Sequence, residues 1–434
     1  MNKNTQKLLA LSDKIIDYAK PISLNILLTY QCNFSCKHCY IEPERIGGLK
    51  KISVDEWKRI LKRFRDDGAI YLRISGGEPT ICSEFASIYN FAWDLGYKIE
   101  IATNGFLLSN YFELLSNKKP YLITFSLYGI TNDTYLNFCG VKDCGYDKLL
   151  TSIEFCDKEK LDYKINYILT SYNSEQMEQI HQLAKENNWE IFCLRNLQND
   201  TDGNFEPIKC QANINDIIKS YYVFNDARKK VLHFKESVWI KGYKTCYSGV
   251  THFNVNPFGE IYLCNACFKI KYKIKENILE AIGVIRKQRS EKIEKESTCS
   301  KCFLKNWCGL CSPIYREKII SGQFEHYCNE QKFIYNKLRR CFMVTYKLKY
   351  NYDFSEVEGD YIVTPKNGET TTKALVINET TYKIMELLQN SVSICEIVEN
   401  LSEVYSESNI TLFDDVKAVI EELDKAGLII RDEQ

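Results

Sequence analysis

Residues 22–40 read ISLNILLTYQCNFSCKHCY, an apolar run of strand character that delivers the chain into Cys32, Cys36 and Cys39, spaced CxxxCxxC. Three thiolates on one tight loop can hold three irons of a cubane [4Fe-4S] cluster, leaving the fourth iron open to a substrate or cofactor. With 19 cysteines in 434 residues, some short cysteine patterns arise by chance. The segments that follow decide the reading.

Those segments alternate with a short period. Strand-like runs recur at 22–30, 69–75, 97–103, 121–127, 163–169 and 190–195, with helix-like stretches between them. One such stretch opens with SVDE at 53–56, a capping box, and puts Trp57, Ile60, Leu61 and Phe64 on one face. Six strand–helix units predict an α/β fold with a parallel sheet, which gathers its site at the carboxyl ends of the strands. At successive ends stand Gly76-Gly77-Glu78-Pro79, Asn104-Gly105 and Ser126. A Gly pair there either makes a tight turn or lets backbone approach a ligand, and Glu78 can accept from an amine.

CNFSCKHC, SGGEP, TNG and SLYG, in that order over about residues 20–200, resemble the radical S-adenosylmethionine (SAM) superfamily. The resemblance implies a partial (β/α)6 barrel whose open iron chelates SAM, with reductive cleavage to methionine and a 5'-deoxyadenosyl radical. By it, Cys32, Cys36 and Cys39 hold the cluster and His38 lies beside the adenine. Gly76, Gly77 and Glu78 receive the methionine amino end, and Asn104, Ser126 and Asn166 contact carboxylate and ribose. Many relatives read SLDG where this chain has Ser126-Leu127-Tyr128-Gly129.

The cysteines regroup downstream at Cys246, Cys264, Cys267, Cys299, Cys302, Cys308, Cys311 and Cys328, including the run CSKCFLKNWCGLC. Eight thiols suit two further four-thiolate sites, and thiolate spacing alone does not choose between iron and structural zinc. The pattern resembles the SPASM extension with two auxiliary [4Fe-4S] clusters, three clusters in all. That resemblance implies Cys299, Cys302, Cys308 and Cys328 on the distal cluster, and Cys246, Cys264 and Cys311 on the proximal one. Cys308 and Cys311 are spaced CxxC where CxxxC is usual. Cys267 either completes the proximal site or leaves it with an open iron for a substrate thiolate. The other cysteines read as small core residues, although Cys139 and Cys144, on a loop after the fourth strand, are candidate hydrogen donors to a substrate radical.

Residues 344–434 read as a small winged-helix-like α+β domain, with strand-like runs before helical patterns beginning near Thr380, Ser393 and Thr411. From Phe354 onward this span holds 6 Lys or Arg against 17 Asp or Glu, a charge that repels phosphate and argues against nucleic acid. The stretch resembles the peptide chaperone of pyrroloquinoline quinone biosynthesis. In that family the leader of a ribosomal precursor peptide adds a strand to a sheet edge.

Overall composition fits a soluble enzyme, 45% hydrophobic with balanced charge. The first residues are polar and periodic, unlike a signal peptide, and no run nears the roughly 18 apolar residues of a membrane span. We expect a cytoplasmic protein with five parts: a helix at 1–21, a core at 22–200, a helical linker at 201–240, the cysteine-rich extension at 241–343, and the peptide reader at 344–434. The function this order implies is hydrogen abstraction from a precursor peptide, with thioether formation as the leading chemistry. Carbon–carbon or carbon–oxygen crosslinking, epimerisation and sulfatase-type maturation are the alternatives. Electrons would come from a flavodoxin or ferredoxin.

Overall fold

The computed structural model describes residues 20–41, 51–142, 144–201, 203–224, 239–240, 243–244, 247–275, 277–290, 302, 304, 308, 322–366, 374–402, 404–405 and 409–433. It divides into two compact units, residues 1–213 with 237–327, and residues 214–236 with 328–434.

In the first unit, β1 (Ser23–Leu27), β2 (Tyr71–Ser75), β3 (Lys98–Thr103), β4 (Leu122–Leu127), β5 (Tyr163–Ile168) and β6 (Ile191–Leu194) pair in parallel and in sequence order. Between them lie α1 (Val54–Asp66), α2 (Phe85–Asp94), α3 (Phe112–Asn117), α4 (Asn132–Cys139), α5 (Gly145–Glu159) and, before β6, α6 (Met177–Glu186). Strand alternation sorts the side chains. Leu72 and Ile74 of β2 and Ile99 and Ile101 of β3 are buried, while Arg73, Ser75, Glu100 and Ala102 face the opposite way into a cavity. Helix α1 starts where its sequence says it should, with Ser53 Oγ accepting from the Glu56 N–H at 3.2 Å. Trp57, Ile60, Leu61 and Phe64 are its buried face, each contributing roughly 1.5–3 kcal/mol.

The cysteine-rich segment extends the same sheet. After a short ladder of β7 (Trp239–Ile240) and β8 (Tyr243–Lys244), β9 (His252–Val255) pairs in parallel with β1. Strands β10 (Glu260–Cys264) and β11 (Cys267–Lys273) follow antiparallel, giving the order β11-β10-β9-β1-β2-β3-β4-β5-β6. Helix α8 (Ile278–Ser290) packs on β10 and β11.

The second unit takes α7 (Ile214–Val223) and most of α9 (Phe324–Met343) together with the carboxyl-terminal elements. These are β12 (Val344–Leu348), β13 (Tyr352–Val357), β14 (Asp360–Pro365), β15 (Leu375–Ile377), α10 (Glu379–Leu387), β16 (Val392–Ser393), α11 (Ile394–Ser402), α12 (Asn409–Lys425) and β17 (Ile429–Glu433). They form two small sheets, β16-β12-β17 and β13-β14-β15, over a core that includes Leu348, Ile384, Ile397, Val416 and Ile420. Tyr222 of α7 stacks against Phe413 of α12 at 5.0 Å between ring centroids. No helix among the described residues is long and apolar enough to cross a membrane.

Candidate active site

A cavity of about 690 Å³ opens at the carboxyl ends of the parallel strands, a size that suits a cofactor-scale ligand. The loop after β1 lines it with Cys32, Cys36, His38 and Cys39. The strand ends line it with Gly76, Gly77, Glu78, Asn104, Ser126 and Asn166. Ser126 and Asn166 are register partners on β4 and β5.

The end of α4 braces the cysteine loop from behind. Ser35 N–H donates to the Cys139 carbonyl at 2.8 Å and Lys37 N–H to the Phe138 carbonyl at 3.1 Å. Gly140 ends the helix at φ +68°, a left-handed conformation that glycine adopts without strain. Cys32 is open to the cavity yet enclosed by protein on most sides, and that desolvation pushes its thiol up to about 12. The Cys139 thiol beside it, together with burial, pushes the Cys36 thiol well above its ordinary value.

Thiols so raised stay protonated unless a cation lies among them, and bound iron supplies that charge. Phe34 N–H already points at Cys32 Sγ at 3.4 Å, as backbone donors do at cluster sulfurs. No three His, Cys, Asp or Glu side chains among the described residues converge on a single metal ion. Cys32, Cys36 and Cys39 lie together on the lining of one cavity, three thiols of the kind that ligate the irons of a cubane.

His38 stacks on Phe138, centroids 5.1 Å apart and 17° between planes. Burial lowers its ring to about 4, so it is neutral at pH 7, and its buried Nδ1 has no hydrogen-bond partner among the described residues. Gly76 and Gly77 have a packing reason to be glycine. A Cβ on Gly76 would meet the Thr29 carbonyl at 2.4 Å, and one on Gly77 the Gln31 carbonyl at 2.3 Å. That close approach lets Gly77 N–H donate to Thr29 at 2.7 Å and Glu78 N–H to Gln31 at 2.9 Å, locking the end of β2 to the start of the cysteine loop.

Glu78 is fully buried. Its Oε1 accepts from Thr80 N–H at 3.0 Å, Thr80 Oγ1 at 2.6 Å and Thr103 Oγ1 at 2.8 Å. Among the described residues its Oε2 accepts only the Asn104 N–H, at 2.8 Å, and it has room for another donor. Burial raises its pKa above the usual carboxylate range against the pull of these donors. Asn104 Nδ2 in turn donates to Asn33 Oδ1 at 2.9 Å, which ties the end of β3 to the cysteine loop.

Other candidates fall elsewhere. Cys139 is buried in the apolar cluster behind the loop and Cys144 is exposed at the start of α5; neither lines the cavity. Cys264 and Cys267 face each other across the β10–β11 turn, with Cys267 only 2% exposed. Cys302, Cys308 and Cys328 are half-buried, and Tyr327 Oη donates to the Cys308 carbonyl. Cys246, Cys299 and Cys311 lie outside the described residues.

Sequence patterns did not single out Asn265, between Cys264 and Cys267. It donates to Tyr40 Oη at 3.1 Å and accepts from Tyr262 Oη at 2.9 Å, joining the downstream hairpin to the residue after Cys39. Arg73 and Glu100, also unremarked in the sequence, line the cavity from β2 and β3. Their signal was a polar residue at every second position of an otherwise apolar strand.

Residues 26–184 match the radical SAM superfamily, and residues 367–429 match coenzyme PQQ synthesis protein D (PqqD). A probable GTP 3',8-cyclase of Saccharolobus solfataricus is 24% identical over 294 residues, covering 64% of this chain and 92% of that protein. The crystal structure of Streptococcus suis SuiB bound to precursor peptide SuiA superposes with a TM-score of 0.53 at 18% identity, covering 71% of this chain and 77% of that one. Native anSMEcpe with bound AdoMet gives 0.53 at 17% identity, covering 74% and 98%. At such identities the solved structures establish a shared fold. The chain carries a radical SAM domain at residues 26–184 and a PqqD domain at residues 367–429.

Proposed function

We propose that this protein is a maturase of ribosomally made peptides, in which the PqqD domain holds a precursor's leader while the radical SAM cavity takes a hydrogen atom from a residue of the segment that follows. The observation that carries this reading is the union in one chain of that cavity with a PqqD domain. SuiB, which shares the fold, is known bound to its precursor peptide, and that supports the reading. A leader strand would pair at the edge strand β15, where Val376 is 69% exposed beside α10. Binding energy gained at the leader would hold a weakly bound side chain in the cavity.

Cys32, Cys36 and Cys39 would hold the first cluster. Two auxiliary clusters would use Cys246, Cys264, Cys267, Cys299, Cys302, Cys308, Cys311 and Cys328, with a flavodoxin or ferredoxin as the cytoplasmic electron donor. When bound, the first cluster and SAM supply the one-electron chemistry that removes hydrogen from carbon. The chain's own residues supply geometry. Glu78 fixes the ends of β2 and β3 and offers Oε2 to an amine, Gly76 and Gly77 let the loop seat closely, and neutral His38 presents a ring face without adding charge. The finer reading is a thioether crosslink, for which Cys267 is the discriminating residue: a Cys267 that is not a ligand leaves the hairpin site free for a substrate thiolate.

The test is co-expression with any short open reading frame found beside its gene, followed by mass spectrometry. A loss of two hydrogens with one cysteine made unreactive to alkylation supports the thioether. The same loss with every thiol alkylatable replaces it by another crosslink, and an unchanged mass with altered stereochemistry by epimerisation. A precursor left unmodified by enzyme that cleaves SAM overturns the maturase reading.

A further inference from the structure

One layer deeper than Ser75, the inner face of the sheet is polar. Asn254, Asn25, Arg73 and Glu100 occupy consecutive register positions across β9, β1, β2 and β3. Thr124 and Lys164 pair on β4 and β5. The two amides satisfy each other, Asn25 Nδ2 donating to Asn254 Oδ1 at 3.0 Å. Glu100 Oε1 then gathers the rest: Thr124 Oγ1 donates to it at 2.6 Å, Arg73 Nη1 stands at 3.3 Å and Lys164 Nζ at 3.6 Å. Two cations share one carboxylate, which leaves a surplus positive charge.

The geometry shows where that charge is spare. Among the described residues Arg73 makes no hydrogen bond and has Glu100 as its one ion-pair partner, yet its side chain is 38% exposed, to the cavity it lines. A guanidinium carries five donors in a planar fork that matches a carboxylate bidentately. Glu100 holds it from one side and the remaining donors face the cavity. Inside a protein such a charge-assisted pair is stronger than in water. Arg73 precedes Ser75 by two residues, about 6.6 Å at 3.3 Å per residue, so the group it meets lies deeper than the strand-end glycines.

We propose that Arg73, positioned by Glu100, binds the carboxylate of an Asp or Glu side chain in the peptide segment being modified. This rests on the maturase reading above. The charge favours that occupant over a nucleotide. One surplus positive charge matches one carboxylate, and Arg73 is the only Lys or Arg among the described residues lining the cavity, too few for a triphosphate.

Ligand-detected saturation-transfer NMR on the reconstituted, SAM-loaded enzyme tests it, with Ac-Gly-Glu-Gly-NH2, Ac-Gly-Gln-Gly-NH2 and GTP as probes. The Glu peptide is expected to bind at least about tenfold more tightly than the Gln peptide, in line with a charge-assisted pair. Arg73→Gln should erase that preference and Arg73→Lys should keep part of it, which separates lost recognition from lost folding. Equal binding of the two peptides, an unchanged preference in Arg73→Gln, or binding of neither overturns the subsite, whatever co-expression says of the maturase reading. GTP held more tightly than the Glu peptide, and through Arg73, overturns the peptide carboxylate as occupant.

Discussion

Burial and the face of Phe138 hold His38 neutral, and this has a measurable cost in acid. Its folded-state pKa of about 4 lies below the ordinary 6.5. Between those values the unfolded chain binds the extra proton, so stability rises with pH through that window and is lost as pH falls from 6.5 toward 4. The full loss is on the order of 3 kcal/mol. His38→Phe keeps the stack and has no such proton. Urea midpoints of the two proteins should therefore move apart as the pH drops through the window, the parent falling faster, and parallel curves would show that the ring does not titrate as its burial implies. At the same loop, replacing Cys32, Cys36 and Cys39 together by Ala should remove about four irons per chain and abolish formation of 5'-deoxyadenosine. Cys267→Ala should lower the iron content further only if that thiol is a ligand.

Two glycines of the catalytic unit make opposite predictions at the level of elements. Gly77 joins β2 to the cysteine loop, and a Cβ there runs into two carbonyls, Gln31 at 2.3 Å and Tyr30 at 2.6 Å, neither the end of a flexible side chain. Gly77→Ala should cost about 1–3 kcal/mol and weaken SAM binding. Gly283 lies inside α8 with nothing within 4 Å of its Cβ direction, so Gly283→Ala should stabilise by roughly 0.5–1 kcal/mol. Thermal melts of both variants check the pair.

The same elements show what a sequence can disclose. The six parallel strands and the Ser53 cap were legible because hydrophobic period and capping chemistry are local. So was the helix start near Ser393, where Glu396 accepts from the Ser393 N–H at 2.9 Å. Strand β13, YDFSEV, was not, because its acidic residues carry weak strand preference. The addition of β9 to β1 was invisible too, since that pairing joins residues 229 positions apart such as Asn25 and Asn254. At the site, the three cysteines and the strand-end residues could be read as motifs. Arg73 and Asn265 could not, because their meaning lies in which partners the sheet brings to them.

On the scale of the whole molecule, division of labour is the testable idea. Val376 is 69% exposed on an edge strand, so Val376→Asp should leave the melting temperature nearly unchanged. It should weaken binding of a fluorescent precursor at least about fivefold if β15 receives the leader, a little over 0.9 kcal/mol. Unchanged affinity would move the leader to another surface. Because residues 354–434 carry 17 acidic against 6 basic side chains, the same affinity should fall as salt is raised from 50 to 500 mM for a leader rich in Lys or Arg.

The seating of β1 between β2 and β9 also governs how the chain leaves the ribosome. About 180 residues separate the end of β2 from the start of β9. At roughly 5–20 residues per second, β1 waits on the order of 10–35 s with one edge unpaired. Its buried Leu24 and Ile26 stand beside that edge, a template for pairing with another chain. A chain stopped at residue 213 holds every residue matched to the radical SAM superfamily and still lacks β9. Expressed alone, it is expected to aggregate, whereas a chain stopped at residue 290 should be markedly more soluble. Iron delivered to the loop after β1 would then meet a finished cradle only late in synthesis, which makes translation speed across residues 75–252 a determinant of how much enzyme is loaded.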